Sequence, residues 1–144
     1  MTQEEVTQEA VGYQLKRAQA ALHGRMDDVL RPLGLTTPQY VCLNTLRQMP
    51  GISTAELARR GFVTRQTTNV LVRSLTDKGL VERSDTPTGG RSLPVSLTNR
   101  GRKLLAEASE LVLEVQDQMI SGLTAKEVAN LGRALAACAD ALDA

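Results

Sequence analysis

The spacing of apolar residues along the chain predicts a protein built mainly from helices. Between residues 11 and 30 apolar side chains recur at steps of three and four, as they do on one stripe of an amphipathic helix. The Pro and Gly of residues 31–34 end this helix. Thr37 and Pro38 then predict the N-cap and first residue of a second helix, which reaches about Met49. Because that helix is apolar on nearly all sides, we expect it in the centre of the fold.

Two shorter helices around a glycine turn follow, and together they predict a helix-turn-helix unit. Ser53 and Glu56 have the spacing of a capping box, in which each side chain bonds the other residue's backbone amide. Gly61 makes the turn, and the next helix begins near Thr64. Gly79 is expected to give that helix a left-handed C-terminal end.

The pattern then changes to one that is typical of a β-hairpin. Residues 80–83 and 93–97 predict two short strands, and the segment between them, residues 84–92, is polar and rich in turn-forming residues. Pro94 has no amide hydrogen to donate to a strand pair, so its strand is expected to lie at an edge or to begin after it. A hairpin at this position corresponds to the wing of a winged helix-turn-helix domain.

Two long amphipathic helices complete the pattern. The first spans about residues 99–120, and a second capping box, formed by Thr124 and Glu127, opens the last helix. The last helix aligns five apolar side chains: Val128, Leu131, Leu135, Cys138 and Leu142. A winged unit of about fifty residues is too small to cover the apolar faces of the terminal helices, so we expect a homodimer in which a second copy covers them.

Length and composition agree with one mainly α-helical domain that carries a small β-hairpin wing. The chain has 144 residues, of which 42% are apolar, and its aromatic residues are two Tyr and one Phe. A core of Leu, Val and Ala suits packed helices better than a β-sandwich. Within a single domain of residues 1–144 we expect a winged helix-turn-helix lobe at 34–100, and a helical dimerisation region formed by 1–33 and 101–144.

The distribution of charge points to a nucleic acid as partner. Residues 52–103 contain ten Lys and Arg against four Asp and Glu, which gives this segment +6, whereas the rest of the chain carries −5. A basic centre between acidic ends is typical of a nucleic-acid-binding surface. Charge alone leaves open a chance cluster on a solvated face.

Other classes of function find no support in the sequence. There is a single His, and no catalytic triad, phosphate-binding loop or metal-type Cys and His cluster, so we expect neither an enzyme nor a cofactor. No signal peptide or long apolar run suggests secretion or a membrane, so we expect a cytoplasmic protein. Cys42 and Cys138 are interpreted as small buried apolar residues, with a thiol-based redox sensor as the alternative.

Several segments resemble regulators of the MarR family. Residues 34–46, GLTTPQYVCLNTL, are similar to the stretch that opens the second helix of those proteins. Residues 54–58, TAELA, resemble their first helix-turn-helix element, and residues 63–81 resemble their recognition helix and its exit into the wing. Residues 96–101, SLTNRG, match the segment that leaves the wing. These blocks follow the family's order over essentially the whole chain, and they imply a sequence-specific transcriptional regulator, commonly a repressor.

The expected partner is double-stranded DNA with an inverted repeat. On the recognition helix Arg65 can bind guanine O6 and N7, whereas Gln66 or Asn69 can bind adenine N6 and N7. The full set of predicted DNA contacts is Ser53, Thr54, Thr64, Arg65, Gln66, Asn69, Arg73 and Arg91. Arg91 is the candidate for the minor groove. The family commonly has an Asp two residues before this Arg, and Gly89 stands at that position here.

The resemblance also implies a pocket for a small aromatic or phenolic acid that releases the DNA. The candidate lining residues are Tyr13, Arg17, His23 and Tyr40, since an aromatic ring and a cation suit an aromatic carboxylate. For each of them a role in the core or at the surface is the alternative. A ligand-independent or architectural DNA-binding protein also remains an alternative.

Overall fold

The computed structural model describes residues 9–61, 63–83 and 94–143. They form six helices, one short 3-10 turn at Arg31–Leu33, and one hairpin. The helices are α1 (Glu9–Leu30), α2 (Thr37–Gln48), α3 (Thr54–Arg60), α4 (Arg65–Asp77), α5 (Asn99–Met119) and α6 (Ala125–Asp143). The strands are β1 (Val81–Arg83) and β2 (Val95–Leu97). The predicted mainly α-helical architecture with a small hairpin is confirmed.

The start of α2 differs from the prediction by one residue. Thr36, not Thr37, is the N-cap: its backbone is extended, and its hydroxyl accepts a hydrogen bond from the amide of Gln39 at 3.3 Å. The Gln39 side chain accepts the Thr36 amide in return at 3.0 Å, which completes a capping box. Thr37 instead donates its hydroxyl to Asp27 of α1 at 2.6 Å. The sequence offers two adjacent threonines, and this contact between α1 and α2 decides between them.

The start of α3 follows the prediction only in part. Ser53 is the N-cap and accepts the amide of Glu56 at 3.2 Å. The carboxylate of Glu56 does not return the bond but pairs with Arg59 at 2.9 Å and with Arg60 at 3.4 Å. Both arginines lie three or four positions further along the same helix, where side chains meet. The predicted reciprocal box is therefore wrong at Glu56. At Thr124 and Glu127 of α6 the predicted box is confirmed, with bonds of 3.0 and 3.2 Å.

The two strands pair antiparallel, with Val81 opposite Leu97 and Arg83 opposite Val95. β2 begins after Pro94, as the missing amide hydrogen predicts. The hairpin tip at 84–92 lies outside the described residues.

The core surrounds α2, which contacts α1, α3, α4, α5 and β2. This confirms the central position that its apolar surface predicts. The largest fully buried side chains come from α1, α2, α4, both strands and α5: Leu30, Leu43, Leu46, Leu75, Leu105, Val72, Val81, Val95 and Thr68. Most of them are aliphatic, as the scarcity of aromatic residues requires.

A close backbone contact joins the end of α4 to the start of α5. Gly79 ends α4 with a φ of 75°, the left-handed conformation that the sequence predicts. Thr98, the N-cap of α5, donates its amide to the carbonyl of Leu80 at 3.1 Å and its hydroxyl to the carbonyl of Gly79 at 2.7 Å. Gly101 packs so closely that a Cβ built on it would lie 2.0 Å from the Leu80 carbonyl oxygen. We call Gly79, Leu80, Thr98 and Gly101 the α4–α5 joint.

The two ends of the chain leave apolar surface uncovered. α6 has no buried residue, and Leu131 and Leu135 of its apolar stripe are 42% and 43% exposed. In the first half of α1, Val11 and Leu15 are exposed as well. None of the helices in the described ranges has the length and apolar character that crossing a bilayer requires.

The α4–α5 joint predicts a large effect of a single methyl group. Gly101→Ala places a Cβ against the Leu80 backbone, whose carbonyl is held by the Thr98 amide, so the free energy of unfolding falls by about 3 kcal/mol. Gly24→Ala in α1 is the control, because its Cβ meets nothing within 4 Å and alanine favours helix. Urea unfolding measures both, and equal stability of the two variants would contradict the close contact.

Candidate DNA-binding surface and ligand cleft

The N-terminal end of α4 is fixed by threonine side chains. Thr64 is the N-cap: its hydroxyl accepts the amide of Thr67 at 3.1 Å and donates to the Thr67 hydroxyl at 3.0 Å. Thr68, which is buried, donates its hydroxyl to the Thr64 carbonyl at 3.0 Å. Thr64 is exposed at the start of the helix, and its hydroxyl is already engaged in capping.

The two sides of α4 have opposite character. Thr68, Val72 and Leu75 are buried and hold the helix to the core. The predicted base-contacting residues of α4 lie at positions outside this buried side, and all of them are exposed: Arg65, Gln66, Asn69 and Arg73. At about 100° per residue, Gln66 and Arg73 point almost directly away from the buried side. The structure thus brings these four predicted residues together on one solvent-facing surface.

Arg83 joins this surface from β1, and the sequence analysis did not single it out. It lines a depression of about 660 Å³ together with Asn69, Arg73, Thr76 and Asp77 of α4. In the sequence, Arg83 is recognisable only as one basic residue at the end of the first predicted strand of the hairpin. The pairing of β1 with β2, and the position of β1 directly after α4, place its side chain beside the recognition helix.

Of the remaining predicted DNA contacts, Ser53 and Thr54 lie within the described residues and Arg91 does not. Ser53 and Thr54 are half-buried at the start of α3, and the Ser53 hydroxyl already accepts the Glu56 amide. Arg91 and Gly89 lie outside the described residues.

Gln39 holds α4 against the start of α2, a role that its sequence context did not reveal. Its side-chain amide nitrogen donates to the Ser74 hydroxyl of α4 at 3.0 Å, while its oxygen accepts the Thr36 amide. Lys78, at the end of α4, donates to the same Gln39 oxygen at 3.3 Å and to the Gly34 carbonyl at 2.7 Å. The first turn of α2 is therefore bonded to the last turns of α4.

A cleft of about 430 Å³ lies between α1, α2 and the helix-turn-helix unit. Its apolar walls include Val41 of α2, Leu57 of α3 and Leu71 of α4. Polar side chains at its lining include His23 and Thr37. Thr68 also lines it, so the cleft reaches the inner side of the recognition helix.

Of the four residues predicted for a ligand pocket, the structure brings His23 to this cleft. Tyr40 is 8% exposed and belongs to the core. Tyr13 is 66% exposed, and Arg17 is exposed with its guanidinium 3.4 Å from Gln14. On the helix α1, Arg17 lies about a third of a turn around the axis from His23.

The rim of the cleft carries a polar link between α1 and α2. His23 Nε2 lies 3.2 Å from Asp27, and the Thr37 hydroxyl donates to the other oxygen of the same carboxylate at 2.6 Å. The hydrogen bond from Thr37 and the neighbouring His23 hold the pKa of Asp27 below its usual range. Asp27 therefore stays ionised and available to both partners.

The two cysteines differ in environment. Cys42 lines the cleft but is buried, and burial raises the pKa of its thiol to about 11. Since the thiolate is the reactive form, this shift makes Cys42 a poor nucleophile. Cys138 is exposed on α6, which differs from the buried position that the sequence suggested.

Comparison with known proteins gives consistent results. The sequence model of the MarR family matches residues 33–92. The HTH-type transcriptional repressor Rv2887 of Mycobacterium tuberculosis is 43% identical over 125 residues, which are 87% of this chain and 90% of that protein.

Crystal structures of Rv2887 also superpose on this chain. The complex with salicylic acid has a TM-score of 0.73 and 41% identity, and the match covers 92% of this chain and 98% of that one. The complex with DNA has a TM-score of 0.72 and 40% identity, with coverage of 88% and 95%. From the family model, the extent of the likeness to the repressor and the shared fold, we conclude that this chain belongs to the MarR family of helix-turn-helix transcriptional regulators.

Proposed function

We propose that this chain is a sequence-specific transcriptional repressor that binds double-stranded DNA as a homodimer and acts by binding rather than catalysis. The exposed polar side of α4 carries the proposal, because an α-helix presenting such side chains fits the major groove of B-DNA. Rv2887 is a transcriptional repressor and forms a complex with DNA, and both facts support the same function for this chain. A cytoplasmic location follows from that function.

The role that we propose for each segment and side chain follows from its position in the fold. Residues 34–100 form the DNA-binding lobe, and 1–33 with 101–144 form the dimerisation region. Within the lobe, the proposed contacts with base edges are made by Arg65, Gln66 and Asn69. The proposed contacts with the phosphate backbone near the root of the hairpin are made by Arg73 and Arg83. Ser53 and Thr54 contact phosphate at the start of α3, and Arg91 stays a prediction for the minor groove.

Dimerisation is supported by the uncovered surface at both ends of the chain. α6 exposes all of its apolar stripe except half-buried Val128, and an exposed stripe of that length is typical of a helix that packs against a partner. A C2 dimer presents two recognition helices, and its operator is an inverted repeat with half-sites about 34–36 Å apart.

The proposed effector is a small aromatic carboxylic acid bound in the cleft. The volume of about 430 Å³ lies in the range of small-molecule sites. The apolar walls suit the ring, and His23 suits the carboxylate. Salicylic acid in a complex with Rv2887 supports this class of ligand. The roles of Tyr13, Arg17 and Tyr40 in ligand binding stay predictions.

The cleft also offers a physical route from ligand to DNA release. Thr68 and Leu71 of α4 line it, so a bound ring touches the inner side of the recognition helix. A ligand that fits one orientation of α4 better than another shifts the helix toward that orientation. If the preferred orientation places the two recognition helices out of register with the operator, DNA is released.

The base-reading role of Arg65 is tested by the binding site that the protein selects from a random pool of duplexes. We expect Arg65→Ala to lose preference at one base pair of each half-site, since a bidentate contact to guanine contributes about 1–3 kcal/mol. Arg133→Ala on the exposed surface of α6 removes the same charge and should select the wild-type site. An unchanged site for Arg65→Ala would mean that α4 is oriented differently in the groove.

Dimerisation through α6 is tested by Leu135→Asp, which places a charge in the apolar stripe. We expect the dimer to dissociate about a hundredfold more readily, because an unpaired carboxylate is costly to bury in an interface. Ala137→Asp, on the opposite side of α6, is the matched control and should stay dimeric. Analytical ultracentrifugation measures both, and a dimeric Leu135→Asp would rule out this side of α6 as the interface.

The effector site is tested with salicylate as the probe. We expect His23→Ala to bind operator normally without ligand but to need about fivefold more salicylate for half release, because a hydrogen bond to the carboxylate is lost. Arg47→Ala, which removes an exposed α2 side chain outside the cleft lining, is the control and should leave the salicylate curve unchanged. Fluorescence anisotropy of labelled operator measures release, and identical salicylate curves for wild type and His23→Ala would exclude His23 from the site.

A further inference from the structure

The outward side of α4 carries a single apolar side chain, Val70, which is 61% exposed. All thirteen residues of α4 are described, and its three other apolar residues are buried or half-buried: Leu71, Val72 and Leu75. Val70 is therefore the one apolar residue of this helix that is exposed rather than buried or half-buried.

Val70 lies on the exposed side of α4, next to the residues proposed to face the DNA. Val70 follows Gln66 by four residues, so the two side chains lie one above the other on the same side of α4. At about 100° per residue, both point almost directly away from buried Thr68. Asn69 and Arg73 lie on one side of this line and Thr67 lies on the other, and all three are exposed. A side chain in the middle of a surface that enters the major groove meets base edges rather than phosphates.

Among the residues that the structure describes, Val70 lies outside the hydrophobic core. A β-branched residue is a weaker helix former than alanine, and an exposed one gains little from packing. A protein partner is a poor explanation, because the neighbours Gln66, Asn69 and Arg73 are polar and protein interfaces use larger apolar patches. In the major groove, by contrast, thymine is the one base that presents an apolar group, which is its C5-methyl group.

We propose that Val70 is a specificity-determining residue that contacts the C5-methyl group of a thymine in each half-site. This inference rests on the proposed function. Val70 lies about 6 Å along the helix axis from Gln66, which corresponds to one or two base-pair steps. Since Gln66 suits adenine, the two side chains together select neighbouring A·T pairs. The half-site is therefore expected to contain a thymine whose methyl group adds to affinity without a hydrogen bond.

The test removes that methyl group from DNA and its partner from the protein. In the duplex that wild type selects from a random pool, each thymine is replaced in turn by deoxyuridine, which has the same hydrogen-bonding groups and no C5-methyl. We expect one position at which wild-type Kd rises about threefold for one half-site and about tenfold for both, the size expected for one buried methyl group per half-site. Val70→Ala should bind the thymine duplex about as weakly as wild type binds the deoxyuridine duplex.

The decisive readout is whether the two changes are coupled. Val70→Ala should show no further loss at that deoxyuridine position, whereas Asn69→Ala should bind more weakly overall but keep the full thymine preference. Thermal unfolding confirms that both variants fold, as expected for exposed positions. A thymine preference that persists in Val70→Ala, or the absence of any sensitive thymine in a selected operator, would overturn this inference alone. Failure to select any operator would overturn the proposed function and this inference with it.

Discussion

The contact between the Leu80 carbonyl and Gly101 connects the recognition helix to α5, the first helix of the proposed C-terminal dimerisation segment. Thr98 strengthens it with two hydrogen bonds, to the carbonyls of Gly79 and Leu80. Because no side chain separates the two backbones, the joint has little room to bend. The C-terminal end of α4 is therefore tied to the start of α5. In a dimer, the packing of α5 and α6 would therefore determine the distance between the two recognition helices.

A second connection lies at the other side of α4, and the cleft lies close to it. The first turn of α2 bonds to α1 through Thr37 and Asp27, and to α4 through Gln39, Ser74 and Lys78. Thr37 also lines the cleft. A ligand bound there, as we propose, would contact α4 directly and the α1–α2 link at the rim of the cleft. In the proposed function, a small molecule in the cleft biases the direction of a helix that is held on two sides at its C-terminal end.

The sequence predicts those features that local chemistry decides. Ser53 as a cap, Gly79 as a left-handed helix end and the start of β2 after Pro94 each follow from one residue's own conformational or hydrogen-bonding properties. Features that depend on distant contacts were not predictable. Thr36 and Thr37 are equal candidates until Asp27 engages one of them, and the roles of Gln39, Gly101 and Arg83 arise only once α2, α4, the hairpin and α5 are packed. The outward residues of α4 were predictable because the helical period fixes which side is buried.

The most direct test of this account is the distance between the two recognition helices, measured by double electron–electron resonance. A spin label on Thr76→Cys, with Cys138 replaced by Ser, reports it, and Cys42 stays unlabelled because burial raises the pKa of its thiol to about 11. The account predicts one narrow distance distribution on operator DNA, and a second, equally narrow one at a different distance when salicylate releases the DNA. Broad distributions in both states would show that the α4–α5 joint does not hold the helix. An unchanged narrow distribution after release would contradict the proposed movement of α4.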